Sequence, residues 1–405
     1  MKRTSIVMRL GAALLALAMC AGMTAMAAET FTDVKETDYF YPAVQWGTEA
    51  GITNGVGGGR FDPQGIVTRA QIVTFLWRMA GSPEPTAKET FTDVKAGSWY
   101  EAAVQWAVEN DITNGTGNGQ FSPNLTCDRA MCITLLYRME GSTLDEAAAA
   151  DPVEITDEAS LESITLDDLA VYLIQQMIAV LHSPEVTTDI KEGSYYELAV
   201  LWGYMCGIIT EENTGSIEED TLIFRPNDPC IRSEMISFLY QTKLMEDAAN
   251  APELIENGPV NVAIPQEYYE LLYKEINGLN DDEEGILITI SEIASRDAAE
   301  ALGEDPDEVG AGVLFSIGRV SEAEAKQIAE EDIGFGTVFA KDDNGFYYVF
   351  YHPTDVRYMR ETTEQMTADQ DQWTELVEWA YNQAVKDILE YSEGLTPVDL
   401  STSAE

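Results

Sequence analysis

A repeat at a fixed interval constrains this chain more than any other feature. Phe31-Thr32-Asp33-Val34-Lys35 returns sixty residues later as Phe91-Thr92-Asp93-Val94-Lys95. The register then holds without a gap. Tyr39 meets Trp99, Ala43-Val44-Gln45-Trp46 meets Ala103-Val104-Gln105-Trp106, and Ile52-Thr53-Asn54-Gly55 meets Ile112-Thr113-Asn114-Gly115. Phe61, Pro63, Arg69 and Ala70 meet Phe121, Pro123, Arg129 and Ala130. A worn third copy follows: Asp189-Ile190-Lys191, Gly193-Ser194-Tyr195-Tyr196, Ala199, Trp202 and Ile208, then an insertion carrying Glu211, Glu212, Glu218 and Glu219, then Phe224-Arg225-Pro226-Asn227 and Arg232. The spacing predicts helix, loop, helix in each copy. Tyr41 to Ala50 puts Val44 and Trp46 on an apolar side, Asn54-Gly55 and Phe61-Asp62-Pro63 mark the loop, and Ile72, Phe75, Leu76 and Met79 recur at helical intervals after Thr68. Two helices of this size cannot bury their own apolar faces, so such units must pack as a set.

The start of the second helix holds the residues that point to chemistry. Thr68-Arg69-Ala70-Gln71 has the form of a capping box. It leaves Arg69 in the first turn, where a cation opposes the helix dipole by a few tenths to about 1 kcal/mol. An anion held by free N–H groups and a guanidinium fork would account for such an Arg, and so would a surface salt bridge. The same Arg recurs as Arg129 and Arg232. Tyr39, Trp99 and Tyr195 open the first helix of each copy, either as core residues or as a wall on which a sugar ring can stack.

This pattern resembles the S-layer homology family, whose units open on Phe-x-Asp-Val, turn at a Gly-rich Phe-x-Pro loop and end on a Thr-Arg-Ala-Glu helix. The resemblance covers roughly residues 31–246. It implies an all-α helix-loop-helix pseudo-trimer that binds a secondary cell-wall polysaccharide, a peptidoglycan-associated glycan often carrying a pyruvylated amino sugar. It further implies a secreted protein held without a covalent bond at the surface of a Gram-positive-type bacterium, with no cofactor. Carried over, the motif places polysaccharide binding on Arg69, Arg129 and Arg232, with the Arg holding a pyruvyl carboxylate. It adds Asp33, Asp93 and Asp189, the aromatics Tyr39, Trp99 and Tyr195, and Gly55 and Gly115. The motif's Glu is Gln71 in copy one and Met131 in copy two. Copy three reads Ile231-Arg232-Ser233-Glu234 and lacks the Thr cap, so grooves involving copies one and two are expected to bind better.

Charge and the first residues set the compartment. With 71 acidic against 23 basic residues the formal charge is −48, a field that repels nucleic acid and anionic lipid. Lys2, Arg3 and Arg9, an apolar stretch from Leu10 to Ala21 and Ala25-Met26-Ala27 compose a secretory signal peptide over 1–27, the alternative being a retained anchor. After cleavage no further stretch is apolar and long enough to span a membrane. Beyond Cys20 lie Cys127, Cys132, Cys206 and Cys230, without metal-ligand spacing; either Cys206 pairs with Cys230 or the thiols are free.

The boundaries expected are repeats at 28–84 and 85–141, an acidic linker at 142–164, a packing helix and worn repeat at 165–247, a linker at 248–262, a small α+β domain with an antiparallel sheet at 263–393, and a tail at 394–405. In that last domain a helix is expected over Pro265 to Gly278, a hairpin at Asp342-Asp343-Asn344-Gly345, and one long helix from Asp369 to Tyr391. His352, with Asp355, Arg357 and Arg360 nearby, is either a general base or a structural histidine at a strand end. The alternative to a displayed, non-enzymatic domain is a wall-anchored glycan hydrolase with its active site there. No phosphate loop, zinc motif or nucleophile elbow occurs.

Overall fold

In a computed structural model the described residues are 31–86, 91–141, 144–151, 165–181, 189–210, 213, 217–218, 221–280, 283–331, 336–353 and 357–398. The chain divides into two compact units, Met1–Ala249 and Asn250–Glu405. The expected signal peptide, Glu211, Glu212, Glu219, Asp355 and most of the expected linker and tail lie outside the described residues. Among the described residues no helix is long and apolar enough to cross a membrane.

The first unit is helical. Each repeat contributes the predicted pair: α1 (Tyr41–Glu49) and α2 (Arg69–Met79), α3 (Glu101–Glu109) and α4 (Arg129–Met139). After α5 (Leu144–Ala149) and α6 (Leu166–Leu181) come α7 (Glu197–Met205) and α8 (Arg232–Ala249), the pair of the third copy, with the two-residue strands β1 (Ile217–Glu218) and β2 (Thr221–Leu222) in its insertion. The expected capping box is formed at α2, where Thr68 accepts from the Gln71 N–H and the Gln71 side chain accepts from the Thr68 N–H. At α4 Asp128 caps Met131 alone. At α8 the half that remains is Glu234, which accepts the Ile231 N–H.

The second helix of each copy packs on the first helix of the next: α2 on α3, α4 on α7, and α8 back on α1. Backbone bonds repeat the cycle, Cys127 N–H to Val67 O (2.9 Å), Cys230 N–H to Cys127 O (3.0 Å) and Val67 N–H to Cys230 O (3.0 Å). The apolar faces meet inside this ring in one core with Ile72, Leu76, Ile133, Leu136, Ile236 and Leu239 fully buried, at roughly 1.5–3 kcal/mol each. Among the described residues Cys127, Cys132, Cys206 and Cys230 form no disulfide, so the Cys206–Cys230 pairing is not made, and Cys127, Cys132 and Cys230 are buried in that core. The acidic segment at 142–164 is not wholly a linker. Leu144 is buried, α5 packs on α6, and the Tyr137 hydroxyl donates to Asp145 Oδ2 at 3.1 Å.

The second unit is α+β with an antiparallel sheet, as expected. The segment 248–262, read from composition as a linker, is instead largely a hairpin: β3 (Glu253–Asn257) pairs with β4 (Val260–Ile264), and alternation buries Val260, Val262 and Ile264. The helix expected over 265–278 is also corrected. Only α9 (Gln266–Tyr269) is helical, and β5 (Leu272–Ile276) is an edge strand because pairing with β6 (Gly285–Glu292) outweighs local helix propensity. Then follow α10 (Ile293–Ala301), α11 (Pro306–Val309), β7 (Val313–Val320), α12 (Glu322–Glu331), β8 (Gly336–Lys341), β9 (Tyr347–Tyr351), α13 (Thr363–Ala368), α14 (Gln370–Asn382), α15 (Ala384–Tyr391) and β10 (Thr396–Pro397). The sheet order is β10-β8-β9-β7-β6-β5. The predicted β8–β9 turn forms around Asp342, whose carboxylate accepts from the N–H groups of Asn344 and Phe346. The expected long helix breaks at Gln383, and Leu376, Trp379 and Ile388 cover a sheet face with Phe315 and Phe350.

Candidate functional site

The three motif arginines do not stand on the surface. Arg69, Arg129 and Arg232 are 6%, 1% and 4% exposed, and each reaches into the next repeat in the cycle. Arg69 Nε donates to Phe121 O (2.9 Å) and Nη2 to Thr113 Oγ1 (3.0 Å). Arg232 makes the same pair with Phe61 O (2.8 Å) and Thr53 Oγ1 (3.2 Å). Each guanidinium also lies over the Phe ring of that loop, at 4.8 Å. Burial lowers the pKa of both groups. Among the described residues, Nη1 of Arg69 and of Arg232 has no protein partner, and neither Arg has a carboxylate partner.

Arg129 departs from this scheme. Its Nε donates to Phe224 O (2.8 Å), but the residue in register with Thr53 and Thr113 is Ile209, which cannot accept. Nη2 is buried without a partner, and Nη1 turns to Asn213 O (3.0 Å) and to Glu234 Oε1 (2.6 Å).

The motif aspartates shape the loops that receive these arginines. Asp33 accepts from the N–H groups of Phe61 and Asp62, Asp93 from Phe121 and Ser122, and Asp189 from Phe224 and Arg225. The middle residue of each Phe-x-Pro loop has a positive φ: Asp62 at 62°, Ser122 at 60° and Arg225 at 54°. A non-glycine residue holds that conformation only with support, which the paired acceptor supplies. In the structure the aspartates therefore position backbone.

One cleft brings the repeats together. About 440 Å³ in volume, it is lined by Thr53, Gly55, Gln71 and Arg78 of the first copy, Trp99 of the second and Arg232 of the third, with Asn54, Val56, Thr74 and Phe75. Of the residues singled out in the sequence, Arg232, Gly55 and Trp99 meet here; Asp33 is not in its wall. Gly55 has a φ of +71°, and a Cβ on it would lie 2.4 Å from Arg60 O. Trp99 is 61% exposed. Tyr195, 60% exposed, lies in the field of Asp128 at the start of α4, and Tyr39, 44% exposed, lies near Ser233 and Glu234 at the start of α8. Trp99 is thus a wall residue of the cleft, and Tyr195 and Tyr39 lie in the same way at the second helix of the preceding repeat. Arg78 lies outside the family motif. Its sequence signal is its recurrence as Arg138 at the sixty-residue interval; the two donate to Ile52 O (2.9 Å) and Ile112 O (3.4 Å).

In the second unit His352 lies between Phe350 and Tyr381, at centroid distances of 6.5 and 5.2 Å, with Nδ1 3.5 Å from Pro353 O. Arg360 is committed to structure: it holds Glu292 through two bonds (2.9 and 2.8 Å) and meets Ser295 and Asp369. Among the described residues no group of His, Cys, Asp and Glu is arranged to hold a metal ion.

Residues 30–73 and 90–130 match the S-layer homology domain. The chain is 34% identical over 116 residues to a cell surface protein of Thermoanaerobacter kivui, covering 27% of this chain and 15% of that one. It is 33% identical over 132 residues to the surface-layer 125 kDa protein of Lysinibacillus sphaericus, covering 32% and 11%. Over 96 residues it is 29% identical to the cellulosome-anchoring protein of Acetivibrio thermocellus, covering 23% and 22%. In each case the match spans less than a quarter of the relative's length.

Proposed function

We propose that this chain, which carries S-layer homology domains, is a secreted cell-surface protein whose first unit anchors it to a wall polysaccharide and whose second unit is the displayed part. The carrying observation is the cleft in which Arg232, Arg78 and Gly55 face the exposed Trp99. A buried guanidinium with no carboxylate partner favours an incoming anion, because burial works against its charge and charge-assisted bonds in a desolvated site are strong. The exposed indole offers an apolar face to a sugar ring, and the positive-φ Gly55 brings bare backbone to the wall of the cleft. An acidic sugar, as in a pyruvylated secondary cell-wall polysaccharide, meets all three. The Arg cycle, the helix packing and the backbone ring support a pseudo-trimeric arrangement of the repeats, in which such clefts arise between copies. A Gram-positive-type wall is the setting this implies.

The test is co-sedimentation of the full chain with purified cell-wall sacculi, before and after mild acid removes ketal-linked pyruvate. Retention that falls at least tenfold on acid treatment, and on Trp99→Ala, is expected. Retention indifferent to both refutes the proposal.

A further inference from the structure

The cleft has two counterpart positions in the repeat register, and the three differ in their side chains. By the repeat register, the wall made by Thr53, Arg78, Trp99 and Arg232 corresponds to Thr113, Arg138, Tyr195 and Arg69 in the next position, and to Ile209, Gln241, Tyr39 and Arg129 in the last. The first two sets each hold two arginines. In both, the buried Arg is fixed through Nε and Nη2 and keeps Nη1 unpaired among the described residues. In the last set the second Arg is Gln241 and the Thr is Ile209. The remaining guanidinium already holds an anion, since Glu234 Oε1 lies 2.6 Å from Arg129 Nη1 with the Asn213 carbonyl on the same nitrogen. The Glu234 side chain is 14% exposed and its other oxygen caps α8 through the Ile231 N–H. Tyr39 is the exposed aromatic at that position, beside Glu234 and Arg129.

We propose that the first unit binds two acidic sugar residues and no third, because the chain's own Glu234 carboxylate takes the place of the ligand anion on Arg129. This rests on the anchoring function proposed above and specifies its stoichiometry. A third anion would have to displace a carboxylate that is already desolvated and doubly bonded, without the second Arg present at the other two positions. The chain therefore grips the polymer at two points, through Arg232 with Arg78 and through Arg69 with Arg138. Two linked contacts raise avidity over either alone by the effective concentration of the second site.

Calorimetric titration of the full chain with the methyl glycoside of a pyruvylated N-acetylhexosamine tests this directly. Two equivalents are expected. Arg78→Ala and Arg138→Ala, whose head groups lie outside the core, each reduce the count to one, and the double variant abolishes the heat. Gln241→Ala and Tyr39→Ala leave two equivalents with affinities within about twofold. Thermal midpoints of all variants are measured alongside, so that loss of binding is scored only on a folded chain. Three equivalents in the unaltered protein, or loss of an equivalent in Tyr39→Ala or Gln241→Ala, overturns the inference and leaves anchoring intact. No heat from the unaltered chain refutes the anchoring function and this stoichiometry together.

Discussion

Thr113→Val isolates what one hydroxyl does inside the Arg ring. Thr113 is 3% exposed, and its Oγ1 accepts from Arg69 Nη2 at 3.0 Å and from the Gly115 N–H at 3.2 Å. Valine keeps the shape and removes the acceptor, so no cavity term arises. A bond to a charged donor left unmade in a buried site costs about 1.5–3 kcal/mol, and the Gly115 bond adds about 0.5–1.5 kcal/mol. The expected loss is therefore about 2–4 kcal/mol. With a urea m-value near 2 kcal/mol/M, the midpoint falls by about 1–2 M. Hydrogen exchange read by mass spectrometry places the loss in peptides spanning 65–80 and 110–125, apart from the second unit. The protein has made the matching substitution itself, since Ile209 stands where Thr is expected and Arg129 Nη2 is buried without a partner. Ile209→Thr is accordingly expected to be neutral or stabilising. A midpoint shift below about 0.2 M for Thr113→Val would falsify the view that these hydroxyls hold the ring.

Gly115→Ala is expected to cost more than 2 kcal/mol in thermal or urea unfolding, because φ is +80° and the new Cβ would meet Gln120 O at 2.5 Å and the Phe91 ring at 2.6 Å; a smaller loss would show the loop to be compliant. Asp33 supplies a pH dependence. Burial opposes its charge, but the N–H donors of Phe61 and Asp62 and the Arg60 guanidinium outweigh that and hold its pKa below the ordinary aspartate value. Its contribution is thus full above an unfolded pKa of about 3.9 and is lost as pH falls through the lower folded value. Unfolding midpoints measured from pH 5 to pH 2.5 should fall less steeply in Asp33→Asn, and equal slopes would contradict this. Arg360→Met in the second unit strands the Glu292 carboxylate, 2% exposed, and should cost about 3–5 kcal/mol, whereas the double change to Met and Leu should recover most of it.

Sequence alone determined the repeats, their helix pairs, the capping box at α2 and the turn of the β8–β9 hairpin. Each depends on residues close along the chain, where periodicity and turn chemistry act directly. It also brought Arg69, Arg129 and Arg232 to notice through recurrence. It did not determine what those arginines do. Their partners are 52, 95 and 171 residues away at Phe121, Phe224 and Phe61, and only closure of the helix cycle brings them into reach. The hairpin at 253–264 and strand β5 are not legible locally for a related reason: a short apolar run takes its conformation from the strand it pairs with. The difference between the three counterpart positions needed both levels. Ile209, Gln241 and Glu234 are ordinary residues in the sequence, and they acquire meaning once the ring sets each beside Arg129 or in register with the Thr and Arg of the other copies. Local pattern fixed the helices of the repeats, while long-range packing decided which buried guanidinium meets a carboxylate and which keep an unpaired nitrogen.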